Sequence, residues 1–212
     1  TRISKKAGNI TMMGKTHIFI GTAAALALTF PDTNIGILSA LAGGAVGGMM
    51  PDTDLDSLKN IKDARTKIIA GTIAGICFVI DFFFKCGMII SIRNSNHMLA
   101  LIGLIGFIAL YFIGAFADHR SFTHSILATV LYSTAVGLMC RPLAIPFAIG
   151  FAAHILLDCT NKKGVRMFYP SKKKLCLRWF YASGTANIVF YYIGIALTIA
   201  LFITAVIRWL FV

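Results

Sequence analysis

Glutamate is absent from this 212-residue chain, and charge of any kind is scarce at 13%, against about 25% in soluble domains. A surface so poor in charge excludes an ordinary soluble enzyme and a disordered polyelectrolyte. The five cysteines (77, 86, 140, 159 and 176) form no CxxC pair, so the pattern excludes a disulfide scaffold and leaves structural thiols as the reading. What the chain has in quantity is apolar: 58% of its residues, with a mean hydropathy of +0.80. That composition points to an all-α, polytopic helical membrane protein. The eight acids are all Asp, against 20 Lys and Arg, for a net charge of +12. In a membrane protein such an excess reads first as topology, so no nucleic-acid partner is expected.

About seven apolar segments are expected, at 17–30, 35–50, 68–84, 97–116, 122–140, 143–158 and 186–210. A full span takes roughly 20 residues, so 17–30, 35–50 and 143–158 read as short, tilted or half-spanning helices. Gly43, Gly44, Gly47 and Gly48 in the second segment suit close helix contact. With a cytoplasmic N-terminus and seven crossings, 16 Lys and Arg fall inside and 4 outside, which supports an N-in, C-out orientation by the positive-inside rule. Residues 1–13 read as an N-terminal extension or basic tail and 14–212 as a single membrane-embedded domain. The basic run 162–178 is placed to meet anionic lipid headgroups.

Ionisable groups near membrane helices are costly and default to function. His17 opens the first segment; Asp52, Asp54 and Asp56 follow the second; His119, Arg120 and His124 mark the fourth-to-fifth junction; His154 and Asp158 end the sixth. In the topology above, all of them lie at the cytoplasmic end of the bundle. His154 and Asp158 are i, i+4 and share a helix face. Asp52 and Asp54 are i, i+2 and point the same way in an extended stretch. His119 and His124 are five apart, roughly 140° around a helix, so His119 is expected before the helix, with Ser121 or Thr123 as its cap. Imidazole with carboxylate suits zinc first, with manganese or iron as alternatives. His17, Asp52, Asp54, His119, His124, His154 and Asp158 are therefore the candidate ligands of one or two ions. His97 lies outside every motif, Asp32 reads as turn chemistry, Asp63 as a solvated charge, and Asp81 as the i, i+4 partner of Lys85. A Ser125 nucleophile assisted by His124 is disfavoured, because adjacent residues on a helix point apart.

The ordered set Gly14-Lys15-Thr16-His17, Pro51-Asp52-Thr53-Asp54, His119-Arg120-Ser121-Phe122-Thr123-His124-Ser125 and His154-Ile155-Leu156-Leu157-Asp158, followed by Thr160, Gly164 and Pro170, resembles the YdjM type of membrane-bound hydrolases. These are described as metal-dependent and as LexA-regulated inner-membrane proteins, and the resemblance spans 14–170. It implies a location in the bacterial inner membrane. More distantly, the His and Asp usage is similar to that of zinc-dependent phospholipase C. The chain departs from the family's pattern at Ser121, where Gly is usual, and over Gly184–Asn187, where an acid is common.

The function expected is hydrolysis of a phosphoester in a lipid or lipid-linked substrate by a metal-activated water. Asp52 is the candidate base, Arg120 the phosphate clamp, and Lys162, Lys163 and Arg166 the groups that draw in an anionic headgroup. A divalent-metal or proton-coupled transporter is the first rival, but transporter sites lie near the midplane. A non-catalytic, metal-stapled scaffold is the second, and a closed ligand shell would favour it. Oligomeric state is not legible.

Overall fold

The computed structural model describes residues 14–53, 61–118, 120–162, 164–179 and 185–211, with backbone only at 61–63. Eight α-helices form among them: α1 Gly14–Thr29, α2 Asn34–Met49, α3 Ile61–Phe84, α4 Met88–Arg93, α5 His97–Phe116, α6 Ile126–Met139, α7 Ala144–Cys159 and α8 Thr185–Phe211. No strand is present among the described residues; one isolated antiparallel bridge joins Val165 and Leu175. Five apolar stretches, within or around α2, α3, α5, α7 and α8, are long enough to cross a membrane, while α6 is shorter. The α1 helix has 16 residues. A mixture of full and short apolar helices is expected, but its members differ: the stretches around α2 and α7, expected short, are long enough to span, and α6, expected to span, is short because Phe122–His124 form a separate turn ahead of it.

Local chemistry sets the ends. Thr33 caps α2, its hydroxyl accepting the Gly36 N–H at 3.2 Å. Pro51 lacks an N–H and turns the end of α2 into a 3-10 turn, Met50–Asp52. Asn96 caps α5 by accepting from Met98 and Leu99. The cap of α6 differs from expectation. It is Ser125, which accepts the Ala128 N–H at 3.1 Å, and not Ser121 or Thr123, because Phe122–His124 form a separate 3-10 turn ahead of the helix. Two further corrections concern the far end. The stretch between Lys85 and Asn96, expected as a break, contains α4. Asp81 serves that helix: its carboxylate accepts the N–H groups of Gly87, Met88 and Ile89 at 2.7–2.9 Å. Three orphan donors at a helix start outbid one flexible lysine.

The centre of the bundle is α1, α2 and α7. Two-thirds of the α2 span and half of the α7 span are buried, against 17% or less for α3, α5 and α8. Small residues make that possible. A Cβ on Gly21 would lie 2.8 Å from the Gly44 carbonyl oxygen and 3.3 Å from the Gly150 Cα; one on Gly48 would lie 2.5 Å from the His17 carbonyl oxygen. Backbones this close leave room for glycine only. Around the three, α3 packs on α2, α5 on α6, α6 on α7 and α8 on α1. Their outward faces carry Phe82, Phe83, Ile105, Ile108, Ile199 and Phe202, all exposed, as a lipid-facing belt requires.

Candidate metal centre

The contact of α1 with α2 and of α2 with α7 brings His17, Asp52 and His154 to one end of the bundle, and the two 3-10 turns, Met50–Asp52 and Phe122–His124, pack on each other there. His17 and His154 stack, with ring centroids 3.8 Å apart and planes 19° from parallel. His124 meets His154 edge-on at 5.1 Å. Asp158 lies one turn beyond His154 on α7, as i, i+4 spacing demands. Its Oδ1 is 3.7 Å from His17 Nε2 and its Oδ2 is 3.4 Å from His124 Nε2. Asp52 Oδ1 is 3.6 Å from both His124 Nε2 and His154 Nε2.

These separations test whether the residues fit an ion. They are too long for good hydrogen bonds. Ligand atoms about 2.1 Å from a tetrahedral centre lie about 3.4 Å from one another. Within each candidate ligand set the observed 3.6–3.7 Å is close to that spacing. His17, His154 and Asp158 form one set able to hold an ion, and Asp52, His124 and His154 another. His154 Nδ1 bonds the Gly48 carbonyl oxygen at 2.7 Å, which leaves Nε2 as its single ligating atom. The two sets therefore share one nitrogen, and the described residues complete one such set at a time. His154 Nε2 and Asp158 Oδ1 are buried without a hydrogen-bond partner, a state costly for polar atoms unless a ligand satisfies them. These buried His and Asp groups could hold a metal ion.

Burial and charge shape the centre further. The side chains of His17, His124, His154 and Asp158 are at most 2% exposed, whereas Asp52 is 29% exposed. Access from water is thus at Asp52. Burial opposes charge on His124, but the two carboxylates outweigh it and push its pKa up to about 9. Its Nδ1 faces the Thr123 hydroxyl at 3.1 Å.

Arg120 Nη2 donates to Asp158 Oδ2 at 3.0 Å, while Nε and Nη1 are buried without partners. Its backbone is left-handed (φ 61°), a strain of about 1 kcal/mol. The Arg166 N–H donates to the Arg120 carbonyl at 3.3 Å, and the Ile126 N–H to that of Met167 at 3.0 Å. The basic loop is in this way tied to the centre's rim. Arg166 itself faces Asp118 at 3.7 Å, and Lys162 is exposed.

Of the expected ligands, five converge. Asp54 and His119 lie outside the described residues, as do Lys163, residues 1–13, Asp56 and the Asp63 side chain. His97 lies at the far end of α5, away from the centre. Ser125 is committed to capping, donating also to the Phe122 carbonyl at 2.6 Å. All five cysteines are free. Sequence reasoning missed Gly48 as the orienting acceptor of His154, although the glycine stripe announced its close approach. It also missed Asn187, whose side chain accepts the buried Thr16 hydroxyl at 2.8 Å and ties α8 to the residue before His17.

An apolar helical bundle that gathers three imidazoles and two carboxylates at one end defines an integral membrane protein with a candidate metal centre. The family model described as YdjM inner membrane protein matches residues 12–212, and the chain belongs to that family. It is also similar to the "Uncharacterized protein YvsG" of Bacillus subtilis (strain 168), 24% identical over 176 residues, which cover 82% of this chain and 83% of the relative. No solved structure matches the chain.

Proposed function

We propose that the chain is a membrane-embedded, metal-dependent hydrolase acting on a phosphoester of a lipid or lipid-linked molecule, with zinc as the first candidate ion. The observation that carries this reading is the uneven burial of the ligand set: four side chains are sealed, and Asp52 alone of the five opens to solvent. A purely structural site is closed on all sides, whereas a catalytic one keeps an open position. A divalent ion held there supplies a Lewis acid and lowers the pKa of water toward about 7.

The chain's own residues have separable roles. His154 binds the ion together with His17 and Asp158 or with Asp52 and His124, and Asp54 and His119 are further candidates. Asp52, on the open edge, both ligates and is placed to accept a proton. Arg120 neutralises Asp158 through Nη2, and its remaining donors are available to a phosphoryl oxygen. Lys162, Lys163 and Arg166 attract an anionic headgroup. A location at the end of the bundle suits a substrate whose headgroup sits at the membrane surface, and we read that end as cytoplasmic from the distribution of Lys and Arg. The same location argues against a transporter, whose site belongs near the midplane.

The test is turnover by the purified, metal-loaded protein of phospholipid and prenyl-phosphate substrates, beside His154→Ala, Asp52→Ala and a chelated sample. Hydrolysis abolished by both substitutions and by chelation supports the reading. Hydrolysis indifferent to all three overturns it. Bound metal that raises thermal stability while no substrate turns over replaces it with the metal-stapled scaffold.

A further inference from the structure

The half of the bundle away from the metal centre holds a cavity of about 300 Å³ with no polar surface in its lining. Its walls come from six helices, α2 to α7, and include Val46, Ala74, Phe78, Phe107, Val136 and Phe147. Gly43 also lines it and lets α2 meet α7 beside it, since a Cβ there would lie 2.8 Å from Pro146 Cβ and 2.9 Å from the Phe147 nitrogen. Phe147 precedes His154 by seven residues, about 10 Å along α7. The cavity is therefore distinct from the site at the other end.

Its chemistry restricts what can fill it. Water needs two to four polar partners, and apolar cavities of roughly 150 Å³ stay dry and take hydrocarbons. This one is twice that size and at the lower bound of small-ligand sites. It is also continuous with the lipid-facing surface. Ala74, Phe78 and Phe107 are only partly buried, and beside them Ile76 and Val79 on α3 and Ile105 and Ile108 on α5 are exposed to the bilayer. The deeper wall, Val136 and Phe147, is at most 7% exposed.

We propose that this cavity binds an acyl chain of a bilayer phospholipid, entering between α3 and α5 from the leaflet opposite the metal centre. The chain replaces the missing side-chain contacts among α2, α3 and α6. The proposal is independent of the hydrolase reading, since no residue of the cavity is a candidate ligand.

The full chain is reconstituted in phosphatidylcholine vesicles doped with a phosphatidylcholine carrying a diazirine near the end of one acyl chain. Adducts formed on illumination are then located by mass spectrometry. Labelling of Val136 and Phe147, which the bilayer cannot reach from outside, is expected alongside that of Ile105 and Ile108. Ala74→Phe, filling the entrance, is expected to lower the inner labels several-fold and leave the outer ones unchanged; Val46→Phe serves if that variant fails to insert. Three results would overturn the proposal: outer labels without inner ones in the wild-type chain, inner labels unmoved by filling, or inner labels only from a prenyl-phosphate diazirine run in parallel.

Discussion

Adding one methyl group at Gly48 is expected to disable the metal centre without touching a ligand. A Cβ there would sit 2.5 Å from the carbonyl oxygen of His17 and 3.2 Å from its carbonyl carbon. Both obstacles are backbone, so no rotamer change relieves them. Ordinary contact begins at 3.4 Å, and reaching it requires α1 and α2 to part by 0.9 Å, the difference between 3.4 and 2.5 Å. The shift displaces His17, whose Nε2 lies 3.7 Å from Asp158 Oδ1, out of the register that lets both reach one ion. It also disturbs the Gly48 carbonyl that orients His154. Overpacking of this kind costs about 1–3 kcal/mol, and loss of an orienting partner about 10–100-fold in metal affinity. The control is Gly71→Ala, where a Cβ meets nothing within 4 Å. Affinity is read by competition with a chromogenic chelator, and folding by thermal stability. Equal affinity in Gly48→Ala and Gly71→Ala would refute the packing argument.

Other outcomes follow from the same contacts. Asp158→Asn removes a ligand and strands the buried Arg120 cation, so both metal content and stability should fall, the latter by about 3–5 kcal/mol in detergent unfolding. Asp81→Ala leaves three N–H groups of α4 without their acceptor and should cost about 1–2 kcal/mol, with metal affinity unchanged. Because His124 holds its proton up to about pH 9, an ion must displace it. Apparent metal affinity is therefore expected to rise with pH, by up to about tenfold per unit below that value, and a flat profile in buffered titrations would contradict the assignment of His124 as a ligand.

The sequence carried the helices where one physical signal acted alone. Asn96 and the apolar run behind it place α5 at His97–Phe116, the bounds read from the pattern. Where two signals competed, the reading slipped. Asp81 has Lys85 at the spacing of a helical pair, yet the start of α4 takes its carboxylate, because the short helix was hidden in a stretch that ended on polar residues. Ser121, Thr123 and Ser125 are all plausible caps, and only the fold of the 3-10 turn selects Ser125.

The candidate centre was legible because few polar residues enter an apolar chain, so four separate motifs stood out by type and by end. Its orientation was not. The stacking of His17 on His154, the Gly48 acceptor and the Asp158–Arg120 pair depend on backbones meeting across α1, α2 and α7, and no local spacing encodes that.

The most direct test of the centre is the divalent metal content of the purified chain, set beside that of His154→Ala, which removes the nitrogen common to both ligand sets. About one tightly held ion per chain is expected in the wild type, and none in the variant. Wild-type protein that neither copurifies with nor binds a divalent ion, or a variant that keeps its ion, would contradict a metal site built on His154.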